Sequence, residues 1–332
     1  MSRLLVGASD GTLTLLNLTA DALTKVDSAR LAAVGPLAIH PSGSVLFAAS
    51  SPHRVGVVHI EQRDGSLVTG ASIEVAGKPA HLSISPDGTW AVTASYHGGV
   101  AQLIRLDANG APIQVTDAVY APNLHSSVIT ADGCVHVVCL HDDVILGLRI
   151  IDGRLLPLGR DFHLPPGSGP RHIIPTHSGN LLVNTEFTGE VHCLHPRLDG
   201  TLEHIGMARI LDDTDLGISR FGADPKTEHL IWVSDLQLDA SEARLFCAER
   251  TNATISTLEV DGDGIPVRLL AVSPVLEQPR GFTLASDGRL VVASETSGMA
   301  TVYTVMNDGT LVPGPSAEVG AGALWVSELT ES

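Results

Sequence analysis

The chain has 332 residues, 44% of them hydrophobic and only 17% charged, which is enough apolar material for a large core and excludes the disordered class. Thirty-seven acidic against twenty basic residues give a formal charge of −17. That balance repels nucleic acid and anionic membrane surfaces, so any basic site has to be local.

The opening MSRLLVGASDGTLTLLNL has too short an apolar run for a signal peptide, and no later stretch approaches the roughly 18 apolar residues of a membrane span. A cytoplasmic protein is expected. This opening reads as the later part of a repeat that lacks its first strand. Six full repeats follow, each an apolar alternating run, a polar turn and a second apolar run: HPSGSVLFAAS, SPDGTWAVTAS, TADGCVHVVCL, THSGNLLVNTE, DASEARLFCAE and ASDGRLVVASE, starting at His40, Ser85, Thr130, Thr176, Asp239 and Ala285. Their spacings of 45, 45, 46, 63 and 46 match one four-stranded propeller blade per repeat, the fourth interval carrying an insertion of about 17 residues. Asp-Gly and Asn-Gly turns within each repeat (LDANGAPI, LDGTLEHI, VDGDGIPV, NDGTLVPG) mark a second hairpin. The closing GALWVSEL supplies a strand without partners of its own. The expectation is an all-β, seven-bladed β-propeller with four-stranded antiparallel blades, its ring closed by the N- and C-terminal strands, and residues 1–332 forming a single domain.

In a blade the innermost strand runs into the shared turn and the second strand runs back, so the start of one and the end of the other lie on the same rim. Five residues before each repeat the chain reads Gly35, Ala80, His125, Arg171, Ser234 and Arg280. At the ends of the second strands it reads Ser50-Ser51, Ser95-Tyr96, Leu140-His141, Glu186-Phe187, Glu249-Arg250 and Glu295-Thr296. Small residues on one side and functional groups on the other describe a pocket. The predicted constellation is His125, Arg171, Arg280, Glu186 and Arg250, with His172, Tyr96, His97 and His141 around it. Several arginines converging in an acidic protein imply an anionic ligand, and a carboxylate beside a histidine supplies acid/base chemistry. The competing structural reading pairs these charges between blades, Arg250 with the adjacent Glu249 above all.

The remaining histidines read as structural: His40 and His177 in turns, His59, His136 and His192 in strands, His195, His204 and His229 in polar loops. No HExxH or HxH spacing calls for a metal, and no cofactor is expected. Four cysteines without a CxxC pair read as buried free thiols. The glycines of PPGSGPRH lack the helix of a phosphate loop and read as the approach to a strand.

At these residues the sequence resembles the seven-bladed propeller lactonase family, which includes bacterial 6-phosphogluconolactonases of the cycloisomerase-2 type and fungal carboxymuconate lactonizing enzymes. The resemblance rests on SGPRHIIPTHSGNLLVNTE, QPRGFTLASDGRLVVA, the AER-T-ATIS stretch from Ala248 to Ser256, LHSS around His125, and GALWV. It implies a metal-independent site in the central channel with His125, Arg171, Glu186, Arg250 and Arg280 in the family's positions. His97 replaces the asparagine that usually follows tyrosine, and Leu140-His141 replaces a strand end containing aspartate.

The reaction so implied is hydrolysis of an anionic sugar lactone, with 6-phosphogluconolactone as the first candidate. His125, Glu186 and Arg171 would be catalytic, and Arg250, Arg280, His172, Tyr96 and His97 would bind substrate. His125 or Glu186 activates water, Arg171 meets the oxyanion or a substrate carboxylate, and Arg250 and Arg280 meet the distal acid group. The alternatives are lactonization of a carboxymuconate-type substrate, a non-enzymatic propeller that binds a partner on its disc face, and a metal-dependent lactonase.

Overall fold

The computed structural model describes residues 2–50, 52–61, 65–212 and 214–329. The alternating apolar runs form seven antiparallel sheets, each built from its innermost to its outermost strand. The innermost strands surround the hub: Ala323–Leu329 in blade 1, Val34–Ile39 in blade 2, His81–Ile84 in blade 3, Leu124–Ile129 in blade 4, Pro170–Pro175 in blade 5, Val233–Leu238 in blade 6 and Pro279–Leu284 in blade 7. Blade 1 joins the two ends of the chain, with Arg3 opposite Leu329, Val6 opposite Val326 and Ala8 opposite Ala323. The ring closes as the sequence predicts.

The core lies between blades. Leu46, Ala48 and Val55 of blade 2 pack on Leu82, Ala91 and Ile104 of blade 3, and Phe246 and Ile255 of blade 6 pack on Phe282 and Val292 of blade 7. Sheets covered on both faces need apolar residues at successive positions, and all six residues of Cys134–Cys139 are buried.

Two features depart from the regular repeat. The outer strand of blade 4 is split into Arg154–Pro157 and Phe162–His163, both paired to Val144–Ile151. The insertion lies between Arg209 and Val233 and holds one short helix, Pro225–Glu228, capped by Asp224. One expectation is corrected: His195 and His204 lie within the strands Glu190–Pro196 and Leu202–Arg209, not in loops. Both face solvent, and polar outer-strand positions mimic loop composition.

The innermost strands share an irregularity that sequence spacing does not reveal. In six of them one extra residue interrupts the pairing near the start: between Val34 and Leu37, Leu124 and Ser126, Pro170 and Ile173, Val233 and Leu236, Pro279 and Gly281, and around Leu324. Such β-bulges bend the strand and re-aim its side chains. Here they fall on Gly35-Pro36, His125, Arg171-His172, Ser234-Asp235, Arg280 and Leu324, at the predicted rim.

Ending the chain at Gly322 removes the innermost strand of blade 1 and exposes the edge of Ser2–Ala8. The expected result is loss of cooperative thermal unfolding together with aggregation, read by calorimetry and light scattering. His136 is fully buried with neither ring nitrogen hydrogen-bonded, and burial holds its pKa down to about 4. Because the unfolded chain takes up this proton near pH 6.5, the contribution is complete above that pH and is lost progressively as pH falls toward 4, by up to about 3 kcal/mol. Urea unfolding of a His136→Leu variant should show a flatter stability profile across that window than the parent protein.

Candidate active site

A cavity of about 280 Å³ opens at the hub. Blades 4 to 7 contribute His125, Arg171, His172, Glu186, Arg250 and Arg280, and blade 3 contributes Tyr96 and His97, so the eight residues expected to be catalytic or to bind substrate border this one space, while His141 does not. Blades 2 and 3 leave room with Gly35, Pro36, Pro79 and Ala80, and blade 1 adds Leu324 and Trp325. Ser234 does not border the cavity: it is fully buried, and its hydroxyl donates to the Pro279 carbonyl at 2.7 Å. His141 stands behind Tyr96, its Nε2 hydrogen-bonded to the Tyr96 hydroxyl. Ser51 lies outside the described residues.

Hydrogen bonds through the bulges hold the hub together. Ser126 Oγ donates to the Arg171 carbonyl at 2.6 Å, Arg171 Nη1 donates to the Ser234 carbonyl, and Ser234 continues to Pro279. Blades 4, 5, 6 and 7 are linked in sequence. The backbone N–H of His172, freed by its bulge, donates to Asn184 Oδ1 at 2.8 Å, which satisfies a group that is expensive to leave buried and unpaired.

The guanidiniums are organised by Glu186. Its Oε2 accepts from Arg171 Nε at 2.7 Å and from Arg250 Nη2 at 3.4 Å. Arg250 also lies over the Trp232 ring, 3.6 Å from its centroid. The competing reading that pairs Arg250 with Glu249 therefore has the wrong partner. Glu249 turns away and accepts backbone N–H groups of Trp232, Thr251 and Asn252. Arg280 pairs with Glu295 at 3.1 Å.

Behind Arg171 stands a pair of which sequence reasoning found only half. His172 Nδ1 donates to Asp235 Oδ1 at 2.8 Å, and its Nε2 accepts from Arg171 Nη1 at 3.0 Å. Asp235 is fixed in turn by the backbone N–H of Leu236 at 2.9 Å and of Phe282 at 3.4 Å. Burial, and then the Arg171 charge, hold the His172 pKa below the ordinary imidazole value against the pull of Asp235, so the ring is neutral with its proton on Nδ1. The signal for Asp235 was its place directly after Ser234, as His172 follows Arg171. A bulge presents both residues.

His125 is 8% exposed, and its Nδ1 is sealed off without a hydrogen-bond partner, which leaves Nε2 to the cavity. Burial first, and then the charges of Arg171, His172 and Arg280, push its pKa well below the usual value. The Tyr96 ring packs 6.0 Å from His125, and burial, then Glu186, push the Tyr96 hydroxyl up to about 12. Sequence reasoning also missed Lys78, Trp232 and Trp325 in the wall. Trp325 follows the bulged Leu324 and packs against His172 and His81.

The approach to Arg171 is pinned from blade 4. Asp143 accepts from the backbone N–H of Gly167 at 2.6 Å and of Gly169 at 2.8 Å, so a carboxylate of the chain already takes up the loop's donors. Gly169 has φ +65°, and a Cβ there would lie 2.5 Å from the Phe187 ring, which requires glycine. The insertion comes close beside this loop, with Phe221 3.7 Å between centroids from His141. Among the described residues no group of three His, Cys, Asp or Glu is placed to hold a metal ion, and no helix is long and apolar enough to cross a membrane. Burial pushes the thiols of Cys139, Cys193 and Cys247 up to about 12.

A seven-bladed propeller with arginines, a carboxylate and neutral imidazoles around its hub defines a class of small-molecule sites. Residues 5–327 match the family described as Lactonase, 7-bladed beta-propeller, and the chain belongs to that family of enzymes. It is 30% identical over 312 residues to the 6-phosphogluconolactonase of Sodalis glossinidius, covering 89% of this chain and 88% of the relative. It is 27% identical over 311 residues to that of Serratia proteamaculans, covering 90% and 89%. The fold also matches the periplasmic gluconolactonase of Pseudomonas aeruginosa with a TM-score of 0.86 at 18% identity, covering 99% of both chains.

Asp235→Ala leaves the His172 Nδ1–H and the Leu236 N–H without acceptors, an expected cost of about 1–3 kcal/mol for each orphaned group. Asp235→Asn keeps an acceptor oxygen and should lose less than half as much. Urea unfolding of the two variants checks this, and equal losses would contradict the hydrogen-bond assignment.

Proposed function

We propose that the chain hydrolyses a phosphorylated sugar lactone, 6-phosphogluconolactone, to its open-chain acid at the hub. The observation that carries this reading is a wall in which four cations (Arg171, Arg250, Arg280 and Lys78) face one carboxylate, Glu186, around the neutral imidazole of His125. An acidic protein has no structural need to concentrate guanidiniums there, whereas a phosphate monoester carries about −1.5 to −2 charges at neutral pH. The relatives named 6-phosphogluconolactonase support the same substrate.

In this reading His125 is the base. Glu186 is engaged by two guanidiniums through one oxygen, which gives it the part of holding them and leaves the water's proton to His125. Water attacks the lactone carbonyl and its proton passes to His125 Nε2. The oxyanion faces Arg171, whose Nη2 is the donor not taken up by Glu186, His172 or Ser234. Collapse breaks the bond from the carbonyl carbon to the ring oxygen, and His125 returns the proton to that oxygen. The water is consumed and the side chain ends as it began. Glu186 holds Arg171 and Arg250 in register, and the Tyr96 hydroxyl stays protonated throughout the working range. The reading takes residues 1–332 as one propeller working in the cytoplasm, for which the four free buried cysteines are the support.

With 6-phosphogluconolactone, His125→Ala is expected to lower kcat by about a hundredfold or more with little change in KM. Arg280→Ala is expected chiefly to raise KM. Small and equal effects of the two substitutions would sink the reading, as would turnover of carboxymuconate in preference to the lactone. Because His125 must be neutral to act and its pKa is depressed, the acid limb of kcat/KM should lie below pH 6.5, in a rate profile corrected for spontaneous lactone opening.

A further inference from the structure

We infer that Lys78 and His97, both on blade 3, form the subsite for the phosphate end of the substrate. The inference rests on the reading above and adds the orientation: the lactone carbonyl sits on the floor at His125 and Arg171, with the phosphate at the mouth.

Three of the four lining cations already hold ion pairs within the protein. Arg171 and Arg250 share Glu186, and Arg280 is held by Glu295. Lys78 has no ion pair among the described residues and is the one lining cation exposed at the mouth. It stands on the opposite side of the ring from Arg280, beside the small residues of blades 2 and 3 that leave the cavity open.

Its backbone is not loose. Ser95 Oγ, 1% exposed, donates to the Lys78 carbonyl at 2.8 Å and accepts from Gly98 N–H at 3.2 Å. One buried hydroxyl thus fixes the segment carrying Lys78 to the turn carrying Tyr96 and His97. Gly77 and Gly98 make this closeness possible: a Cβ on Gly77 would lie 2.4 Å from Ser95 Oγ, and one on Gly98 would lie 2.9 Å from the Gly77 Cα. Lysine binds phosphate as a compact point charge, and imidazole supplies a further N–H donor. His125, Arg171 and His172 are only 8%, 3% and 4% exposed whereas Lys78 and His97 are exposed, so depth separates the reacting floor from this cationic rim. A lactone with a charged group on its far carbon spans the two.

The test compares 6-phosphogluconolactone with glucono-1,5-lactone in the parent protein and in Lys78→Ala, Lys78→Arg, Lys78→Glu and Arg280→Ala. It also measures binding of 6-phosphogluconate and gluconate by calorimetry. Lys78→Ala is expected to reduce the preference for the phosphorylated lactone, as the ratio of the two kcat/KM values, by about tenfold through KM. Lys78→Glu should reduce it further and Lys78→Arg should restore most of it. The dissociation constant for 6-phosphogluconate should rise in parallel with the loss of preference. A parent preference that Lys78→Ala retains, or that only Arg280→Ala abolishes, overturns this subsite and leaves the proposed reaction standing. A parent protein without preference for the phosphorylated lactone, and without affinity for 6-phosphogluconate, overturns both.

Discussion

The site depends on one backbone device, the extra residue near the start of the innermost strands. A regular strand sends successive side chains to opposite faces, and in a propeller both faces are claimed by neighbouring blades. A bulge breaks that alternation for one residue and turns side chains into the hub. Arg171 and His172, or Ser234 and Asp235, then act from adjacent positions in the same strand. The backbone groups released by the bulges are not left bare. Asn184 takes the His172 N–H, Asp235 takes that of Leu236, and Ser126 and Ser234 reach the carbonyls of the next blade. The same contacts that satisfy the irregular backbone join blades 4 to 7, so the rigidity of the site and the integrity of the ring have one physical origin.

Burial then decides which groups carry charge. Guanidinium is the cation least readily neutralised, so Arg171 and Arg250 keep their charge inside the hub and are held by Glu186. Imidazole gives way instead. His81, His125 and His172 all sit near arginines or one another, and burial together with that repulsion favours their neutral forms. The floor thus combines fixed positive charge with a neutral proton acceptor, two properties that oppose each other in water and are compatible here because the same field that would attract an anion also discourages protonation of the base.

Much of this was legible in the sequence. The repeat spacing located the blades, the broken first and last repeats located the closure, and the position five residues before each turn led to His125, Arg171 and Arg280. What was not legible follows from the bulge. A count with period two assigns one residue per strand to the rim, so Asp235 and Pro36, each the second residue of an irregular pair, and Trp325, which follows the bulged Leu324, were passed over, and His172 was placed only at the margin. Lys78 was missed for a different reason: it precedes the strand, and its place at the mouth is set by Ser95 and two glycines on separate turns. The adjacency of Glu249 and Arg250 was misleading because the Glu249 carboxylate is taken up by backbone N–H groups around the strand end, whereas Glu186 reaches Arg250 from the neighbouring blade.

A ring of similar repeats has no built-in front or back to its pocket, and the asymmetry has to come from side chains. Here it comes from what each blade places at the same backbone position. Gly35 and Ala80 vacate the volume on one side, while His125, Arg171 and Arg280 occupy the other. The scaffold therefore specifies where a group will be delivered without specifying which group. That separation explains how the fold of a periplasmic gluconolactonase at 18% identity superimposes over nearly the whole chain without fixing the substrate. Selectivity must then reside in the rim residues that the shared backbone carries but does not constrain.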